Sequence, residues 1–145
     1  MKGLRLHLVL PMLVVGFSAP ARATAAGYRD QAEEVIKLVD AGSAVAVIDW
    51  THAQWLASGR ESRSPEKLSA MKVDFKKVLD SLGALHGHVL VEERMVADHL
   101  ARIDYLIIGE QRALRVSLSF QRGMGAWSFT GWVWGNEEEL LDRRR

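Results

Sequence analysis

Residues 112–134 read RALRVSLSFQRGMGAWSFTGWVW, and this stretch decides the fold. From Leu114 to Phe120 apolar residues alternate with polar ones, which is the period-two pattern of a β-strand with one buried side and one solvent-facing side. A glycine turn, Gly123-Met124-Gly125, separates it from a second strand-like segment that ends at Trp134. Two such segments joined by a short glycine-containing loop predict an antiparallel hairpin.

Further segments before this hairpin complete the predicted domain. Two more strands are expected, at 85–96 and 102–108, with an interruption at Asp98-His99. Ahead of them, three segments repeat apolar residues every three or four positions, as amphipathic helices do: 28–40, 45–56 and 65–82. Helices first and a four-stranded meander afterwards predict one α+β domain, with the helices packed on one face of the sheet.

The N-terminal residues 1–23 are expected to be a secretory signal peptide. Lys2 and Arg5 form a short basic start, the following run is mostly apolar, and Ala21-Arg22-Ala23 has the small-x-small pattern of a cleavage site. The apolar run is too short to span a bilayer as a helix, and no later segment is apolar enough. We therefore expect one domain at 24–145, exported to the bacterial periplasm and without a membrane span after cleavage. An uncleaved anchor is the alternative.

The charge of the chain is balanced. It has 19 Lys plus Arg against 18 Asp plus Glu, and cleavage after Ala23 removes Lys2, Arg5 and Arg22. Sixteen basic residues then face eighteen acidic ones, a net charge of about −2. Such a surface lacks the clustered positive charge that neutralises phosphates, so nucleic acid is not an expected partner. The absence of cysteine excludes a disulfide framework.

Three features together resemble the nuclear transport factor 2-like superfamily: the order of the elements, Leu82-Gly83 before the first strand, and residues 125–132, GAWSFTGW, in the last strand. Residues 38–43, LVDAGS, are also similar to the end of that superfamily's first helix. The resemblance covers Tyr28 to Trp134 and implies a cone of helices against a strongly curved antiparallel sheet. Members include isomerases, dehydratases, secretion components and small exported domains of unknown function, so the resemblance implies a fold rather than one activity.

Asp49 and His52 are the main catalytic candidates, since they lie one helical turn apart on the second helix. If the apolar stripe around His52 lines a pocket, His52 could act as general base with Asp49 orienting its ring. Tyr105 on the second strand could then donate a hydrogen bond to an oxyanion, a combination suited to a lyase or isomerase. The alternative is a core histidine whose nitrogens are satisfied by the backbone or by Asp49.

His86 and His88 offer two imidazoles on the same predicted side of a strand, with Glu92 continuing that side. A zinc site needs three or four protein ligands, and only the distant Asp98 and His99 could supply the others, so a solvent-facing side is the preferred interpretation. The sequence also has no Gly-x-Ser-x-Gly elbow and no glycine-rich phosphate loop. We expect no metal and no cofactor.

The five tryptophans are many for so small a domain. Strict alternation puts Trp127 on the core side of the last strand and both Trp132 and Trp134 on the opposite side. Exposed there, they would form a partner surface, because tryptophan is enriched at interface hot spots. The alternative is cover by the 137–141 tail or by a helix. Together with Trp55, these tryptophans are the expected ligand-binding or interface residues, with a homodimer through the sheet face as the preferred use.

The expected function is a non-catalytic binding or interaction module, for an apolar small ligand or a protein partner. The reason is that the potential pocket collects few ionisable groups. Two alternatives stay open: a lyase or isomerase that uses His52 and Asp49, and a component of a cell-envelope assembly.

Overall fold

The computed structural model describes residues 27–136, which form three helices followed by four strands. The elements are α1 (Tyr28–Asp40), α2 (Ala44–Ala57), α3 (Pro65–Asp80), β1 (Leu85–Val96), β2 (Leu100–Gly109), β3 (Ala113–Arg122) and β4 (Trp127–Asn136). The strands make one antiparallel sheet in the order β1-β2-β3-β4. The predicted α+β class is confirmed, whereas the signal peptide expected at 1–23 and the cover expected from the 137–141 tail lie outside the described residues.

The helix boundaries follow the local signals of the sequence. Gly42, at φ +68°, takes the left-handed conformation that ends α1. Ser43 caps α2 and Ser64 caps α3, since each hydroxyl accepts a hydrogen bond at 3.3 Å from the amide three residues further on. The turn between β1 and β2 is also formed by neighbouring residues. Ala97 and Asp98 both have positive φ, and the amide of His99 donates a hydrogen bond to the carbonyl of Val96.

The core lies between the helices and one side of the sheet. On that side Ile103 of β2 faces Leu118 of β3, and Tyr105 faces Val116. Helix α1 contacts β1, β2 and β4, which include both edge strands, so the sheet curves around this helix. The largest fully buried side chains come from all three helices, from the segment that follows α3 and from the sheet: Ile36, Ile48, Phe75, Leu82, Ile107, Phe120 and Phe129.

A β-bulge in β4 changes which side chains face the core. Ser119 pairs with Gly131 and Phe120 pairs with Phe129, so Thr130 is an extra residue between them. Beyond it, Trp132 and Trp134 pair with residues of β3 whose side chains are buried in the core. The prediction that these two tryptophans lie opposite Trp127 is therefore wrong, because one inserted residue inverts a period-two pattern.

Strand β1 has two irregularities of the same kind, at His86 and Val91. After the second one, Glu93 pairs with Ile103 on the core side and Glu92 pairs with Asp104 on the outer side. The prediction that Glu92 shares one side with the two β1 histidines is therefore also wrong. The tertiary pairing with β2 decides the side, since each bulge shifts the alternation by one residue.

Candidate functional site

The structure gives the predicted catalytic pair separate partners. Asp49 forms an ion pair with Lys72 of α3, with its Oδ1 2.6 Å from Nζ. His52 has its Nε2 3.2 Å from the hydroxyl of Ser62, in the loop between α2 and α3. Both side chains thus contact α3 or the loop that precedes it, and the structure shows no contact between the two.

Tyr105 lies in a different environment, on the core side of β2. Its ring packs edge-on against His88, with 5.5 Å between the ring centroids. Burial raises the pKa of the phenol, and the nearby carboxylates of Glu33 and Glu93 raise it further. Helix α2 packs on α1, α3 and β4, whereas Tyr105 points toward groups of α1 and β1. The lyase or isomerase hypothesis, which requires Asp49, His52 and Tyr105 in one pocket, stays a prediction without support from these contacts.

The tryptophans of β4 pack against helices. Trp132 and Trp134 lie 4.7 and 5.3 Å from the ring of Phe75 on α3, and 4.7 Å from each other. Trp127 lies 4.7 Å from the ring of Tyr28 on α1. Trp55 is buried on α2, with an arginine guanidinium of the 58–64 loop stacked over its ring. The three rings of β4 therefore hold α1 and α3 to the sheet, whereas Trp55 packs against the loop that follows its own helix.

The most unusual surface is strand β1 itself. Within residues 27–136 it lies at the edge of the sheet and pairs with β2 alone. Five of its large apolar residues are each between 40 and 60% exposed: Val89, Leu90, Val91, Met95 and Val96. Sequence reasoning missed this surface because alternation assumes that one side of every strand is covered. The signal that could have found it is the run Val89-Leu90-Val91, which presents apolar residues to both sides.

Helix α1 holds β1 in place at two points. The hydroxyl of Tyr28 and Nε of Arg29 both donate to Oε1 of Glu93, the latter at 2.9 Å. Near the other end of the helix, Nδ1 of His88 lies 2.6 Å from Oδ2 of Asp40. The hydrogen bonds from Tyr28 and Arg29 lower the pKa of Glu93 against the opposing effect of burial. Helix α1 therefore holds the edge strand in its extended conformation, which preorganises it for binding.

The outer side of the sheet carries charged groups next to this edge. Asp104 of β2 accepts hydrogen bonds from Nε of Arg102 at 2.9 Å and from Nη2 of Arg115. On β1, Glu92 and Arg94 form an ion pair and lie opposite Asp104 and Arg102, respectively. Opposite charges thus alternate along the outer side of the edge strand, between apolar residues at 89 and 96.

Comparison of the chain with protein-family models, with curated proteins and with solved structures found no match. The fold class therefore comes from the structure itself: a three-helix layer on a four-stranded antiparallel meander. Within residues 27–136, no helix is long and apolar enough to cross a membrane. The same residues contain no cluster of three or more His, Asp or Glu side chains that could hold a metal ion.

Proposed function

We propose that this protein is an exported, non-catalytic binding module that pairs strand β1 with an extended segment of another polypeptide. The observation that supports the proposal is the exposure of large apolar side chains on both sides of β1, whose outer edge no other strand of residues 27–136 covers. A free edge offers unpaired backbone amides and carbonyls, and an added strand satisfies them while side chains on alternate positions give specificity. The resemblance to nuclear transport factor 2-like domains and the export to the periplasm belong to this proposal.

The interior of the domain favours a polypeptide over an apolar small ligand. The space between sheet and helices is occupied by Phe75, Phe120 and Phe129, each at most 1% exposed. A ligand in the cone would have to displace these rings, and removing large aromatic side chains from a core costs about 3 to 5 kcal/mol each. Binding at the exposed edge requires no such rearrangement.

The experiment is selection of a displayed library of random peptides as long as β1, which has 12 residues. The target is the protein purified after expression of the full chain, with whatever processing the host cell carries out. Peptides that also bind the variant V89K/V96K are removed by counter-selection. Val133→Lys is the matched control, because Val133 is equally solvent-facing, at 68% exposed, but lies on β4.

We expect enriched peptides that bind the wild type and V133K and fail on V89K/V96K. We also expect bound peptide to slow hydrogen exchange at the β1 amides, since a paired amide no longer contacts water. Peptides that bind the wild type and V89K/V96K equally would contradict the proposal.

A further inference from the structure

We propose that the segment that pairs with β1 is β1 of a second copy of this chain, in an antiparallel register with a two-fold axis at Glu93. This inference rests on the proposed function and names its partner. A two-fold interface requires a self-complementary surface, in which residue i faces residue j and residue j faces residue i. The side chains of β1 satisfy that condition around Glu93 and on both sides of the sheet.

On the outer side, the register pairs opposite charges. With Glu93 facing Glu93 of the second copy, Glu92 faces Arg94 of the second copy and Arg94 faces its Glu92. Both side chains lie on the outer side, where they already form an ion pair within one chain. The dimer would therefore contain two cross-strand pairs of opposite charge, and directly opposite pairs of this kind stabilise a sheet.

The apolar residues complete the same register. The bulge at Val91 puts Leu90 and Met95 on the core side and Val89 and Val96 on the outer side. Val91 is the extra residue of the bulge and has no partner in the register. With Val91 left out of the count on each strand, Leu90 faces Met95 of the second copy and Val89 faces its Val96. The part of the chain that the structure describes leaves these side chains exposed, and in the dimer each acquires an apolar neighbour on its own side.

The bulge and the acidic centre are both compatible with this pairing. A bulge leaves one residue of an edge strand unpaired and can discourage the addition of a further strand. Here the two Val91 residues lie on opposite sides of the axis, each opposite the step from Arg94 to Met95 of the second copy, so each half of the ladder contains one bulge and both halves keep the same pairing. The two Glu93 carboxylates at the axis each accept hydrogen bonds from Tyr28 and Arg29 of their own chain, and the arginine compensates their charge.

The test uses the variants E92R and R94E of the full chain, with self-association measured by sedimentation equilibrium from about 1 μM to about 1 mM. Each single variant puts like charges opposite one another, so we expect its dimer dissociation constant to rise by roughly tenfold or more. In an equal mixture, the arginine introduced by E92R faces the glutamate introduced by R94E, and the native Arg94 of the first variant faces the native Glu92 of the second. We therefore expect a heterodimer as tight as the wild-type dimer.

The mixture distinguishes contact between two copies from an effect of each substitution on its own chain. The ion pair within each chain is lost in both variants and mixing cannot restore it, so rescue requires contact between copies. Thermal unfolding of each variant checks that the fold is retained. A wild-type dimer that neither variant weakens, or a weakened one that mixing fails to rescue, would overturn the register.

A second measurement does not depend on the charged residues. Because the chain has no cysteine, single cysteines can be scanned along β1 and oxidised. A residue at the axis faces itself, so E93C should cross-link faster than V89C or V96C, with V133C on β4 as control. A wild type that stays monomeric throughout, or cross-linking that peaks elsewhere, would refute the second copy as partner. The peptide selection could still succeed in that case, so the two proposals fail separately.

Discussion

Arg60 donates a hydrogen bond from Nη1 to the carbonyl oxygen of Thr130, at 2.6 Å. Thr130 is the extra residue of the β4 bulge, and Arg60 belongs to the 58–64 loop between α2 and α3. The loop is therefore fastened to the sheet at the point where β4 changes its inward-facing set of residues. This contact connects the helical layer to the irregularity that turns Trp132 and Trp134 toward the core.

Deleting Thr130 should leave Trp132 and Trp134 on the core side. Thr130 is the one residue at the bulge without a partner on β3, so the deletion makes β4 alternate regularly and keeps every other pair of the register. It does remove the carbonyl to which Arg60 donates, so we expect the free energy of unfolding to fall by about 1 kcal/mol. Urea denaturation followed by tryptophan fluorescence measures the change, with deletion of the exposed Met124 in the neighbouring turn as the control. A Thr130 deletion that costs about 3 kcal/mol or more and exposes the tryptophans would contradict the bulge assignment.

Replacing Phe75 should loosen the contact between α3 and the sheet. This side chain is fully buried and packs against both Trp132 and Trp134. Phe75→Ala should lower the free energy of unfolding by about 3 to 5 kcal/mol and shift tryptophan emission to longer wavelength. Val73→Ala on the same helix is the control, since Val73 is half exposed, and it should change both readouts little. Equal effects of the two substitutions would show that α3 is not held by these rings.

Gly109 is expected to tolerate no side chain. A Cβ at this position would overlap the carbonyl oxygen of Leu82 and lie 2.6 Å from its Cβ. Gly109→Ala should therefore separate the end of β2 from the segment that follows α3, lowering the thermal midpoint strongly. Gly131→Ala is the matched control, because no atom lies within 4 Å of the corresponding Cβ. It should be neutral or slightly stabilising, since alanine restricts the unfolded chain.

The ion pair between Asp104 and Arg115 should matter despite its position on the outer side of the sheet. Both residues are buried, so removing one partner leaves an uncompensated charge. Asp104→Ala should lower the free energy of unfolding by about 3 to 5 kcal/mol in urea denaturation. Asp74→Ala, which removes an exposed carboxylate, should change it by less than about 0.5 kcal/mol. A small effect of Asp104→Ala would mean that water or another group replaces the carboxylate.

The same carboxyl group predicts a pH dependence. Burial alone would raise the pKa of Asp104, but hydrogen bonds from Ser117, Arg102 and Arg115 outweigh it and hold the pKa below its ordinary value of 3.8. A lowered folded-state pKa gives stability that is present above the unfolded pKa and is lost as the pH falls through the folded one. Urea denaturation between about pH 6 and about pH 2 should show this loss, and Asp104→Asn should show a shallower one. Parallel curves would exclude Asp104 as the titrating group.

Much of the fold could be predicted because its signals are local. Apolar spacing placed the three helices, Ser43 and Ser64 marked two helix starts, and alternation with glycine turns placed the strands. Each signal acts within a few residues, since a cap or a turn depends on the backbone next to it. Helices before strands then sufficed to predict the α+β class.

The candidate site could not be predicted in the same way. The two bulges of β1 and the one of β4 depend on the pairing of whole strands, and each inverts the side on which the following residues lie. For this reason alternation assigned Trp132, Trp134 and Glu92 to the wrong sides. Whether a strand is an edge also depends on the order of strands in space, which no local pattern encodes.

The sequence by itself determined the helices, the strands and their turns, because backbone preferences and side-chain periodicity are properties of short segments. Only the tertiary structure decided which side of each strand is buried and which aromatic rings hold α3. It also decided that β1 has an edge and apolar side chains that nothing else in residues 27–136 covers. The physical reason is that burial is set by the elements that pack on a residue from elsewhere in the chain, and one extra residue in a strand reverses it.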